Sequence, residues 1–140
     1  MENIKFILIP VFLCTMAVCG CSNEFNTSSF EGTWQVTNMT ADMPTLSPAI
    51  IKSGEELAMS TTYLFNADGT SLETSSYYTE GIQGVWIFAE DSLILRINST
   101  DEAIPSTAEH RVTFINKRKM EWNHDASELG NFTMTLIRKR

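Results

Sequence analysis

The chain is a succession of short runs in which apolar and polar residues alternate, each closed by turn formers. A period of two restricts most of it to β-structure. The clearest pair of runs brackets Asp68-Gly69 in "TTYLFNADGT". Glycine accepts the positive φ of a tight turn, so a strand ending near Asn66 folds back into one starting near Ser71. Eight strands are expected on this pattern: Phe30 to Met39, Thr61 to Asn66, Ser71 to Tyr78, Ile82 to Phe88, Leu93 to Asn98, His110 to Asn116, Met120 to Asn123 and Phe132 to Arg138. Eight antiparallel strands joined by short turns close into an up-and-down barrel, which removes the unpaired edges of an open sheet.

One segment breaks the period. "LSPAIIKSGEELAMS", residues 46 to 60, places Ser47 before Pro48, a helix start, and offers a second cap at Ser53 with Glu56 three residues on. Gly54 weakens a continuous helix, so the expectation is a kinked helix or one starting near Ser53. A single helix between the first two strands would sit over one end of the barrel, with Glu55 to Met59 able to cap or gate it.

By alternation the inward set is Trp34, Val36, Phe65, Leu72, Trp86, Phe88, Leu93, Leu95, Val112, Phe114, Met120, Trp122, Phe132, Met134 and Leu136. These are bulky, and an eight-stranded barrel is just wide enough to be filled by its own side chains or to hold one small ligand. Thr74, Ser76 and Tyr78, reckoned to share the face of Leu72, are the polar exceptions. The candidate ligand wall is therefore Leu72, Thr74, Ser76, Tyr78, Trp86, Phe88, Phe114 and Trp122.

The N-terminus has a different character. A charged start, Met1 to Lys5, precedes an apolar run from Phe6 to Val18 and then small residues, the outline of a secretory signal peptide. About 13 apolar residues span about 20 Å as a helix against about 30 Å of bilayer hydrocarbon, too short for a permanent anchor. Val18-Cys19-Gly20-Cys21 resembles the bacterial lipobox. That resemblance implies that residues 1–20 are removed and that Cys21 carries acyl chains, leaving residues 21–29 as a flexible tether and 30–140 as one domain. A metal or redox role for the C-x-C pair would need further ligands, and His110 and His124, the only histidines, have no ligand spacing. A Cys19–Cys21 disulfide would be strained and would close almost no loop.

Gly32-x-Trp34 opening the first strand, "FNADGT" at 65–70, Gly84-x-Trp86 in mid-chain and a last strand ending "TLIRKR" resemble, in that order, the lipocalin-like lipoproteins of Bacteroidetes. The resemblance spans about residues 30–140. It implies that the first-strand tryptophan, Trp34, closes the barrel base under a basic residue of the last strand, Arg138. Ser22 after the lipidated cysteine, in place of the inner-membrane-retaining Asp, favours the outer membrane by analogy with enterobacterial sorting. Glu24 alone is a poor match to a surface-display signal, so the periplasmic face is expected. The apolar, aromatic interior face points to a small apolar or amphipathic ligand. An accessory module docked on an envelope protein, with a filled barrel, is the alternative.

A formal net charge of -7 argues against a nucleic-acid partner. Lys117-Arg118-Lys119 and Arg138-Lys139-Arg140 are local basic exceptions, read as a charged hairpin tip and a solvated C-terminus in preference to a lipid-headgroup site. No G-x-S-x-G elbow, Gly-rich phosphate loop or thiol outside the leader and lipobox is present, so neither an enzyme nor a cofactor is expected. His124-Asp125 and Glu128 read as exposed loop residues, and His110 as a surface or rim residue.

Overall fold

The computed structural model describes residues 25–140; Cys21, the leader 1–20 and the first part of the tether lie outside the described residues. The strands are β1 (Gly32–Asp42), β2 (Thr62–Phe65), β3 (Thr70–Thr74), β4 (Ile82–Ala89), β5 (Ile94–Ser99), β6 (Thr107–Asn116), β7 (Lys119–Asp125) and β8 (Asn131–Arg138). They follow one another around a closed antiparallel barrel, β1 pairing with both β2 and β8. The helix α1 (Pro48–Met59) links β1 to β2. It runs unbroken through Gly54, capped where Ser47 Oγ accepts from the Ile50 N–H at 3.4 Å with Pro48 in the first turn. The alternative of a late start at Ser53 does not occur.

The barrel has two unlike ends. At the base, Trp34 faces Arg138 across the closing pair, and the guanidinium lies 4.7 Å above the indole centroid. Arg138 also donates from Nη1 to the Glu31 carbonyl at 2.9 Å and from Nη2 to the Ser29 carbonyl. It thereby fastens a short 3-10 turn (Thr27–Phe30) that plugs the base with Phe30, a side chain with no exposed surface. Residues 25–29, expected as part of the tether, are folded onto the barrel instead. Phe25 stacks on Phe114 at 4.6 Å, and Glu90 accepts from both the backbone and the hydroxyl of Thr27. At the other end, the mouth, lie α1 and the β3–β4, β5–β6 and β7–β8 loops.

Phe30, Phe65, Trp86, Phe88 and Phe114 pack edge-to-face and tilted, with centroids 4.6–6.0 Å apart, and fill the basal half. Each tryptophan N–H has a partner: the Phe30 carbonyl for Trp34, the Asn66 carbonyl for Trp86 and the Met120 sulfur for Trp122. Both Gly-x-Trp motifs have a steric cause. Gly32 enters β1 at φ +112, and a Cβ on Gly84 would meet the Asn98 carbonyl oxygen at 2.7 Å.

The face assignment of β3 is corrected by its hairpin. A two-residue turn at Asp68-Gly69 would set Phe65 opposite Leu72. The actual turn runs from Asn66 to Gly69, closed by Gly69 N–H to the Asn66 carbonyl at 3.1 Å with Gly69 at φ +86, and pairs Phe65 with Ser71. One residue of register moves every side chain to the opposite face. Ser71, Glu73 and Ser75 point inward, and Leu72 and Thr74 lie on the outer wall. The strand also stops at Thr74 because Ser75 Oγ accepts from the Tyr77 and Tyr78 N–H groups and turns the chain. Ser76 is therefore exposed, bonded to Ser60 at the end of α1. Leu93, assigned inward, sits in the β4–β5 turn at φ +56 and is exposed.

Replacing Arg138 by lysine keeps the charge but cannot serve both carbonyls and the indole face at once. The expected loss is about 1.5–3 kcal/mol of unfolding free energy, read from the urea midpoint. An unchanged midpoint would remove Arg138 from the closure.

Candidate functional site

The aromatic filling ends about halfway up the barrel, at a floor of Tyr63 and Trp122. Their rings are 4.9 Å apart, and Trp122 is fully buried. Above it is a cavity of about 420 Å³ open at the mouth. Met39, Leu57, Ala58, Tyr63, Phe132 and Met134 supply its apolar walls; Thr61, Glu73, Ser75, Tyr78, Thr107, His110 and His124 supply its polar ones. Met39 reaches it because a bulge between Val36 and Asn38 in β1 reverses the alternation there. Leu57 and Ala58 arrive from α1, which covers the mouth without burying any of its own residues fully.

A column of rings climbs one wall. His110 stacks on Trp122 at 4.9 Å, His124 lies 5.2 Å from His110, and Phe132 stacks on His124 at 4.8 Å. His110 is only 5 % exposed, and its Nδ1 is buried without a hydrogen-bond partner. It is neither a surface nor a rim residue, because β6 alternates His110 and Val112 inward. Burial, and secondarily the neighbouring His124, pull its pKa down to about 4, so the ring is neutral at pH 7. His124 and Asp125 are the last residues of β7, not loop residues. Nδ1 of His124 lies 2.8 Å from the Glu109 carbonyl oxygen, which can only accept, so Nδ1 carries the proton.

Facing this column are Tyr63 and Glu73, cross-strand partners on β2 and β3. Burial holds the Glu73 carboxyl above the usual carboxylate range. Burial, and then the adjacent Glu73, push the Tyr63 phenol well above its ordinary value. Glu73 is the one carboxylate of the lining and, among the described residues, forms no ion pair. Among the described residues no group of three His, Cys, Asp or Glu could hold a metal ion.

Of the eight candidate ligand-wall residues, Tyr78 alone lines this cavity. Trp122 forms the floor beneath it, Trp86 and Phe88 belong to the basal core, and Phe114 packs at the base against Phe25 and Phe30. Leu72 lines a separate outer-wall depression with Leu64 and Val85. Glu73, His110 and His124 were missed. For the histidines the signal was present, since the alternation that buries Val112 and Trp122 continues through His110 and His124. For Glu73 it was hidden in the turn register. Beside the mouth, a larger groove of about 580 Å³ lined by Ile94, Glu109, Arg111, Asn123, Asp125 and Asn131 shares His124 and Phe132 with the cavity and is more polar.

A histidine held neutral contributes stability above its unfolded pKa of 6.5 and loses it as pH falls through about 4. The full span is worth about 3 kcal/mol. Glu73, whose pKa is raised, changes in the opposite sense: its penalty grows as pH rises above 4.5, the ordinary value of the group. The difference between wild type and His110→Gln in melting temperature should therefore vary steeply between pH 6.5 and 4. Parallel curves would mean that His110 is protonated without cost.

No family model matches this sequence, and no curated protein matches it. Four solved chains match it in structure. One is a DUF4847 family protein from Bacteroides vulgatus, which is 15 % identical, covers 79 % of this chain and 94 % of its own, and superposes with a TM-score of 0.51. At that identity the likeness is one of fold: this chain is a mostly-β, eight-stranded closed barrel similar to that protein.

Proposed function

We propose that the protein is a lipocalin-like, outer-membrane lipoprotein, lipidated on Cys21 and facing the periplasm, whose barrel mouth binds a small apolar or amphipathic molecule without transforming it. The observation that carries the binding reading is the division of the interior, packed solid at the base and open as a cavity of about 420 Å³ at the mouth. A site for a drug-sized ligand needs at least about 300 Å³, apolar walls and a few orienting polar groups. Met39, Leu57, Phe132 and Met134 would take the apolar body of such a molecule. Glu73, Tyr63, Ser75 and the two histidines would take its polar end, and an uncompensated carboxylate favours an end that donates hydrogen bonds or carries positive charge. The sulfur and aromatic walls are adaptable rather than shape-specific, which suits weak binding of related amphiphiles.

Titration with a hydrophobic fluorescent probe tests the site. Ala58→Trp fills the mouth and should abolish binding, while Leu72→Trp, on the outer wall, should leave it unchanged. Absence of binding by wild-type protein with an intact melting transition would favour the docking-module alternative. Glu73→Gln should weaken a cationic amphiphile about tenfold and a neutral one little, one charge-assisted hydrogen bond being worth about 1.5–3 kcal/mol. Equal effects on both probes would separate the carboxylate from recognition. The anchor is tested by metabolic labelling with an alkyne fatty acid, expected in wild type and absent in Cys21→Ala.

A further inference from the structure

The two basic clusters, twenty-one residues apart in sequence, meet in the fold. The β6–β7 turn carries Lys117 and Arg118, β7 opens with Lys119, and β8 ends in Arg138, Lys139 and Arg140. Arg138 donates its backbone N–H to the Arg118 carbonyl at 2.9 Å, and Lys119 pairs with Ile137. Six of the ten Lys and Arg residues of the chain thus form one corner of the barrel base. Lys117, Arg118, Lys139 and Arg140 are exposed, and among the described residues none of the six is in an ion pair.

Three further observations give this corner a direction. Ile115 and Ile137, 49 % and 40 % exposed, stand beside the basic residues, so the patch is apolar as well as cationic. The acidic side chains on the β2–β3 and β4–β5 turns at the same end are engaged locally, Asp68 with Thr70, Glu90 with Thr27 and Asp91 with the Ser92 N–H. Glu31 lies beside Arg138 and Glu121 two residues along β7 from Lys119, so four exposed cations outnumber the two nearest carboxylates. Phe25 lines a cleft of about 260 Å³ with Phe114, Lys117 and Arg138. Cys21 is four residues before Phe25, at most about 14 Å of chain.

We infer that this basal corner rests on an anionic bilayer surface, with Lys117, Arg118, Lys139 and Arg140 among the lipid phosphates and the mouth turned away from the membrane. The inference rests on the membrane location proposed above and adds an orientation and a lipid preference to it. The overall charge of -7 does not oppose it. Asp42, Glu80, Asp101, Glu102, Asp125 and Glu128 belong to the mouth end, about 25 Å away along the strands, beyond the screening length of about 8 Å at physiological salt. Each cation near an anionic surface strengthens binding roughly fivefold. Exposed isoleucines beside them suit the headgroup boundary.

Amine acylation of the full chain, purified from membranes and reconstituted on vesicles, reads the orientation residue by residue. Lys117 and Lys139 report the base, and Lys52 on α1 reports the mouth. With phosphatidylglycerol in the vesicles, Lys117 and Lys139 should be protected several-fold relative to phosphatidylcholine alone and Lys52 should not. About 1 M salt, which shortens the screening length to about 3 Å, should abolish the difference. Arg118→Glu combined with Arg140→Glu leaves both reporters in place and should abolish the protection. Equal reactivity of the three lysines on vesicle-bound protein overturns the inference, as does protection of Lys52 instead, or equal protection by inorganic phosphate without vesicles. Intact mass separates this from the anchor. Protein without acyl chains that still shows protection refutes lipidation and supports the surface; acylated, vesicle-bound protein without protection does the reverse.

Discussion

The β1–β8 closure is the constraint on which everything else in the molecule depends. It pairs the first strand with the last, so no edge is left open, and it brings residues 29 to 34 under Arg138. A guanidinium bonded to two carbonyls and lying on an indole face is held in one place. The Phe30 plug is held with it, because the carbonyls it uses belong to the residues on either side of Phe30. With that end sealed and filled with aromatic rings, the open volume of the interior lies at the opposite end.

Register, more than composition, decides what lines that volume. The bulge at Thr37 delivers Met39 to the cavity, and the extra residue in the β2–β3 turn delivers Glu73 in place of Leu72. The result is a wall with a carboxyl, a phenol and two imidazoles above a floor of aromatic rings. His110 shows the cost of that arrangement. Its buried, unpartnered Nδ1 and depressed pKa are features that a purely apolar filling would not carry. Perturbed groups of this kind, set in a cleft, mark a candidate functional position.

The two ends also differ in charge, with acidic loops around the mouth and a cationic, partly apolar corner at the base. A tethered barrel that stood on its basic corner would present its cavity to the surrounding solution, which is the orientation a carrier needs for exchange. The anchor, the corner and the cavity would then serve one task from three parts of the fold.

Much of this was legible in the sequence. Local physics wrote the strands, the helix start at Ser47-Pro48 and the hairpin at Gly69, because alternation, caps and glycine conformation act over a few residues. Trp34 and Arg138 could be matched because the family resemblance singled them out and a closed barrel of consecutive strands must pair its first and last members. What the sequence left open were sums over many residues. A turn longer by one residue reversed the faces of Leu72 and Glu73. A tether of small polar residues became a basal plug once Arg138, more than a hundred residues away, supplied the partner for its carbonyls. Whether the interior was hollow or filled, and whether two basic clusters were separate tips or one corner, depended on how side chains share a closed volume. Only the tertiary structure decides that, since the space available to each side chain is set by all the others.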